Sequence, residues 1–322
     1  MLTEKQNKTM QLYQNRDFNS FFQDTFTFLK EHGKHFFAHF FTISGALIIV
    51  LAVVSYYVTK TYTESLMYNF STRGSASDAF DQFANENFGA FILTIIGVVI
   101  LTIVFWVIVY AFTPIYFKLF EKHNGTNFGI KEITDSYKAN IGKLLGFVVF
   151  GFILAIPLAI VFGIVGFILT ITIVGILALP FLVGIFSSLY HMTLLEQLDN
   201  KRNFWDSFGY AWQLISSKFW HAVGCIGIFY LMAYVIQMGI GFIQGVVQGV
   251  QSITVIQEPV GMEDMSIGSL ILAIVISVIS FIISTTLQTI IQVNQSIVYY
   301  GLKETSENVN TKSVIDQIGS GE

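Results

Sequence analysis

From Leu144 to Tyr190 the chain runs for 47 residues without one Asp, Glu, Lys or Arg. As a single helix at ~1.5 Å per residue, that stretch would be roughly 70 Å long. The hydrocarbon core of a bilayer is only ~30 Å thick. The stretch is too long for one crossing and right for two, joined by a tight turn. It sets the class of the chain as a polytopic membrane protein.

Composition agrees. Charged residues make up 12% of the 322 residues, about half the ~25% usual for soluble domains. The segments between apolar runs are too short to build an independent core. The single cysteine, Cys225, lies inside an apolar run and excludes an internal disulfide framework. A net charge of −4 offers no basic surface for nucleic acid. The first 35 residues lack a short apolar stretch ahead of a small-residue cleavage site, so the first span is expected to remain as a signal-anchor.

Hydropathy predicts six transmembrane helices, over about 36–59, 89–117, 144–165, 167–190, 219–243 and 269–289. Each is long enough to cross a bilayer. The turn between the third and fourth is expected near Gly163–Gly166. Of the 17 Lys and Arg, 15 fall in the N-terminus, Lys118–Lys143, His191–Lys218 and the C-terminal tail. The other two, Lys60 and Arg73, share the opposite side with the acids of both outer loops. By the positive-inside rule both termini are cytoplasmic. The expected organisation is a cytoplasmic amphipathic segment over 1–35, a six-span membrane domain over 36–302 and a cytoplasmic polar tail over 303–322.

A repeat is visible in these segments. Asn127–Leu144 and Asn203–Phe219 carry apolar residues at steps of three and four, on one helical face. Asp17–Lys34 is a looser copy. Aligned on Lys34, Lys143 and Lys218, each copy has an aromatic residue six positions earlier: Phe28, Tyr137 and Trp212. The even-numbered spans exit alike, with Tyr116, Tyr190 and Tyr299 preceding Glu121, Glu196 and Glu304. The fold class expected is an all-α membrane protein, six spans in three pseudo-repeats, each entered through an interfacial amphipathic helix. Phe28, Lys34, Tyr137, Lys143, Trp212 and Lys218 are then the candidate lipid-interface residues, aromatic rings at headgroup level with lysines snorkelling to phosphates.

Polar residues within the spans concentrate in the fifth and sixth. Gln237, Gln244, Gln248 and Gln251 follow helical steps beside Gly241, Gly245 and Gly249, a small-xxx-small pattern that packs helices closely. On the sixth, Ser277, Ser280, Ser284, Gln288, Gln292 and Gln295 share one face. Gln237, Gln244, Gln248, Ser284, Gln288 and Gln292 form the candidate intramembrane polar face, either a packing seam or the lining of a cavity. No Asp, Glu, Lys or Arg interrupts the spans, which weighs against ion-coupled transport.

His32, His35 and His39 share a face at a spacing that can hold a metal. They lack the further His and carboxylate ligands of membrane di-iron enzymes, and no metal or other cofactor is expected. Hydrolase, P-loop, zinc-protease and thiol-redox motifs are absent.

The exit Tyr299-Tyr300-Gly301-Leu302-Lys303 and the three helix pairs resemble a six-span bacterial family. This is the membrane domain joined to some glycerophosphodiester phosphodiesterases, with related stand-alone proteins. Gly301 and Lys303 stand where that family has Asp and Arg. The resemblance implies an integral protein of the bacterial inner membrane, with no catalytic residues carried over. The expectation is a non-enzymatic protein that binds membrane lipids or organises an unidentified protein partner, with no nucleic acid. Two alternatives stand beside it: a permease or channel for a neutral or amphiphilic solute along the Gln/Ser faces, and a metal-dependent membrane oxidoreductase.

Overall fold

Eight helices account for nearly all of the chain described by the computed structural model, which covers residues 10–71, 88–199, 201–257 and 267–310. They are α1 (Phe18–Ser71), α2 (Phe88–Lys122), α3 (Ile130–Ala139), α4 (Ile141–Thr170), α5 (Ile173–Leu198), α6 (Phe204–Ser217), α7 (Phe219–Gln257) and α8 (Ile267–Glu307). Six of them, all but the short α3 and α6, are long and apolar enough to cross a bilayer. The multi-pass membrane class follows. The side chains of Gln248 and Gly249, with Gln251, lie outside the described residues.

Local chemistry sets the helix ends. At the start of α1 the Asp17 carboxylate accepts from the Ser20 N–H, and the Ser20 hydroxyl oxygen accepts from the Asp17 N–H, each at 2.8 Å. This reciprocal pair satisfies two donors that helix geometry leaves open. The Gly129 N–H donates to the Glu132 carboxylate at the head of α3 (3.0 Å). Asn203 caps α6 by accepting from the Asp206 N–H (2.9 Å).

The turn between the third and fourth spans lies at Ile171–Thr172, beyond the expected Gly163–Gly166. Those two glycines continue α4, because a glycine inside a lipid-facing helix costs too little to end it. The chain turns where a cap exists: the Thr172 hydroxyl accepts from the Gly175 N–H (2.9 Å). A Cβ on Gly175 would stand 2.0 Å from the Leu169 carbonyl oxygen, so the turn requires glycine there.

Two other boundaries move. The segment expected as a separate N-terminal amphipathic helix is continuous with the first span, since α1 runs unbroken from Phe18 to Ser71. Its Phe21, Thr25, Phe28, Phe36 and Phe40 are buried at helical steps and give it a core-facing stripe. The sixth span likewise continues to Glu307. Lys303 and Glu304, expected at the head of a solvated tail, are buried.

The chain divides into two compact units. The first comprises the described residues within 10–40, 110–239 and 286–310. Its core is strongly aromatic: Phe28 stacks on Phe117 (ring centroids 4.9 Å), and Phe36 meets Tyr116 edge-on (4.8 Å). Within it α5 packs on α4 and α6. The second unit comprises 41–109 and 240–285 as far as described. Inside it Phe105 packs on Phe281 (5.5 Å), and the Gln244 amide donates to the Ser280 hydroxyl (2.8 Å).

Close packing across a glycine occurs at a position outside the expected set. Gly241 and Gly245 are exposed, and a Cβ on either would meet no described atom within 4 Å. In contrast, a Cβ on Gly301 would come within 2.6 Å of the fully buried Phe21 ring. Gly301→Ala is therefore expected to lower stability by about 1–3 kcal/mol through overpacking. Gly245→Ala should be neutral or slightly stabilising, as alanine favours helix. Thermal unfolding in detergent ranks the two variants, and the opposite order would restore the glycine seam.

Candidate functional site

Charges at the ends of three spanning helices, with Lys303 and Glu196 buried and the others partly buried, form an extended side-chain network in the first unit. Lys303 on α8 donates to Glu196 Oε2 on α5 and to Asp199 Oδ2 just beyond it, each at 2.8 Å. Lys118 on α2 reaches Asp199 Oδ1 (2.5 Å) and Glu121 Oε2 (3.2 Å). Arg202 completes the shell of Glu196 and lies over the Tyr210 ring, 3.9 Å from its centroid. The Tyr299 hydroxyl donates to Glu196 (2.6 Å), and those of Tyr300 and Tyr13 to Glu121 (2.8 and 2.7 Å). Lys118, Arg202 and Lys303 thus face Glu121, Glu196 and Asp199, and the formal charges cancel.

The exits noted in the sequence supply two of these carboxylates, Glu121 and Glu196. Glu304 does not join them; it accepts from the Asn310 N–H (2.9 Å). Burial alone would raise the Asp199 carboxyl, but the Lys118 and Lys303 ammoniums overcome that and hold it below its ordinary range.

The segment before α1 is fastened to the same region. Arg16, 1% exposed, donates to the carbonyls of Leu12 (2.6 Å) and Gln11 (2.7 Å) and to Asp24 (2.7 Å). The Tyr13 ring meets Tyr300 edge-on at 5.1 Å.

Deeper along the same helices lies an uncharged polar layer. Gln295 donates to the hydroxyls of Ser187 (3.0 Å) and Ser188 (3.4 Å). His191 Nε2 pairs with the Ser296 hydroxyl (2.8 Å). The Tyr230 hydroxyl lies beside Ser187, Gln288 and Gln295. The Asn294 amide donates to Thr25 (2.9 Å) and to Cys225 Sγ (3.3 Å) on the far side of α8.

The candidate lipid-interface residues separate. Phe28 is fully buried in the aromatic core rather than at a surface, because α1 packs its stripe inward along its whole first half. Tyr137 and Lys143 are partly buried, and the Lys143 ammonium donates to the Gln197 carbonyl (3.1 Å). Lys218 holds the N-terminal segment, donating to Asn15 Oδ1 (2.5 Å) and the Arg16 carbonyl (3.2 Å). Lys34 and Trp212 are exposed. On α6 the inward residues are Phe204, Ser207, Tyr210, Ala211, Leu214 and Ile215, which leaves Trp205 and Trp212, seven apart, on the outer face about two turns from each other.

The intramembrane polar face also divides. Gln237 points outward, Gln244 is bonded to Ser280, Ser284 and Gln288 are half-buried, and Gln292 is fully buried. The histidine face holds no metal-ligand geometry among the described residues. Both ring nitrogens of His35 are engaged, with the Tyr116 hydroxyl (2.8 Å) and the Phe128 carbonyl (3.0 Å). His191, at the edge of a segment expected on the cytoplasmic side, is buried in the polar layer; nothing in the sequence shows its pairing across to α8.

No protein-family model, curated protein or solved structure matches the chain. The resemblance in sequence therefore reaches only as far as the six apolar helices.

Cutting one member of the clasp leaves its partner charged and buried. Lys303→Met and Glu196→Gln are each expected to cost roughly 3–5 kcal/mol, and the double variant less than their sum. Thermal unfolding of the set provides the cycle; additive losses would mean the two groups do not interact. Because the folded Asp199 carboxyl titrates below its unfolded value, its contribution is complete above about pH 4 and disappears as pH falls through the folded value. Midpoints are expected to be insensitive to this group between about pH 5 and 8 and to drop on further acidification. Asp199→Asn should flatten that acid limb.

Proposed function

We propose that this protein is a non-enzymatic integral membrane protein that binds lipids at headgroup level and thereby organises the membrane around it. The observation that carries this is the outward aromatic set at the junction of α6 and α7. Trp205 and Trp212 are each 50% exposed and Trp220 is 81% exposed. Tryptophan rings left outside a tightly packed core are expensive in water but favoured at a bilayer interface, where an apolar body and an N–H donor are both accommodated.

The apolar faces of α4 support the same reading. Phe152 and Phe167 are 72% and 71% exposed, a surface suited to lipid chains. Basic residues cluster on the segments that carry the clasp, which agrees with both termini facing the cytoplasm of a bacterial inner membrane. The partners proposed are lipids first. A protein partner would use the same exposed apolar faces.

The test uses depth-dependent quenching. The chain has four tryptophans, so variants retaining one each can be reconstituted in vesicles of lipids brominated near the headgroup or near the chain end. Trp212 and Trp220 are expected to be quenched most by bromine near the headgroup, and Trp106 of α2 by bromine deeper in the chains. Quenching of Trp212 and Trp220 by aqueous acrylamide alone, with no effect of either lipid, would refute the lipid-interface assignment.

A further inference from the structure

The uncharged polar layer has an unusual balance of satisfied and unsatisfied groups. Gln292 Oε1, Gln295 Oε1, His191 Nδ1 and the Tyr110 hydroxyl are all shielded from solvent and have no hydrogen-bond partner within the protein. Gln292, Gln295 and His191 are at most 1% exposed as whole residues. Leaving one such atom unpaired in an apolar interior costs about 1–3 kcal/mol, so several in one place call for a partner outside the chain.

They do belong to one place. His191 is joined to Ser296, whose hydroxyl also donates to the main-chain carbonyl of Gln292 one turn earlier (2.9 Å), so Gln292 shares a helical face with Ser296. Gln295 is bonded to Ser187, and Ser187, Gln288 and Gln295 all lie beside the Tyr230 hydroxyl. The Tyr110 ring faces the His191 ring at 6.1 Å, nearly perpendicular. The groups come from α2, α5, α7 and α8, all within the first unit.

We propose that Tyr110, His191, Tyr230, Gln288, Gln292 and Gln295 form a binding site for a small uncharged polyhydroxy molecule. The chemistry of the set selects that class. Two of the open atoms are amide carbonyls, which only accept, and the other two can pair with a hydroxyl in either sense. A polyol supplies several O–H donors at short spacing. No side chain of the set carries a formal charge to balance an ion, and the nearby clasp is already neutralised by its own pairs. An anion would therefore meet carbonyl oxygens without a counter-charge.

Aromatic rings border the set: Tyr110 stacks on Phe147 (5.9 Å), and Phe147 meets Tyr190 edge-on (6.2 Å). The site is independent of the outward tryptophans and of the lipid-binding proposal.

Saturation-transfer-difference NMR tests it on the full chain, purified in a detergent without a sugar headgroup, with glycerol, erythritol and acetate as probes. Glycerol or erythritol is expected to give a saturable signal and acetate none. Tyr110→Phe removes only a hydroxyl that no protein group uses, so folding is spared and the melting midpoint without polyol should hold or rise. The same change should weaken polyol binding by roughly five- to tenfold. Gln295→Leu should abolish it, at some cost in stability from the lost Ser187 and Ser188 bonds. Absence of a saturable polyol signal, equal binding of acetate, or unchanged polyol affinity in a folded Tyr110→Phe variant would each overturn the proposal.

Discussion

Lys303 is a buried ammonium near the end of a membrane helix, and the arrangement of the first unit depends on how its charge is met. Removing such a group from water costs several kcal/mol, and the same holds for each carboxylate that faces it. The attraction repays this only when geometry is tight and every remaining donor and acceptor is used. Here Lys303 contacts Glu196, Asp199 and the Tyr299 hydroxyl at 2.8 Å each. That requirement fixes the rotation and axial position of α8 against α5, and Lys118 does the same for α2. Hydrophobic packing alone tolerates sliding; a set of hydrogen-bonded charges does not.

The polar layer inherits its geometry from this fixing. Ser296 lies two helical turns before Lys303, and His191 lies five residues before Glu196. With α5 and α8 held at their ends, His191 meets Ser296, and Gln295 meets Ser187 and Ser188. Amides and hydroxyls at that depth are costly if misaligned by even one residue. Gly301 serves the same register from the other side, since only a missing side chain lets Phe21 and Arg16 press against α8 at this level.

What could be read from the sequence follows from what periodicity reports. Long uncharged runs give the spans directly, because the bilayer imposes length and polarity on each one separately. The spacing of Trp205 and Trp212 puts both on one face of their own helix. Partners separated by a hundred residues leave no such trace. The Tyr-to-Glu spacing at the span exits pointed to Glu121 and Glu196, yet nothing in it showed that Asp199 and Lys118 would join them. Phe28 is instructive: its register with Tyr137 and Trp212 suggested a shared interfacial role, but the three rings occupy a core, a partly buried site and a surface. Spacing assigns a residue to a face of its own helix; what covers that face is decided by the other helices. Spacing is equally silent about Gly301, which has a buried neighbour without a repeated pattern.

The two polar regions also differ in what they leave for function. In the clasp, cations and carboxylates answer one another, so the region is stable as it stands and resists insertion of a ligand that would have to break an ion pair. In the layer beneath it, hydrogen bonds within the protein use only part of each side chain: Gln295 spends its amide nitrogen on two serines and leaves its oxygen open. A scaffold needing only rigidity would gain from replacing such groups by apolar ones of equal volume. Their presence beside a neutralised clasp favours recognition of a neutral molecule, because hydrogen bonds discriminate most strongly where neither water nor a free charge competes for the same atoms.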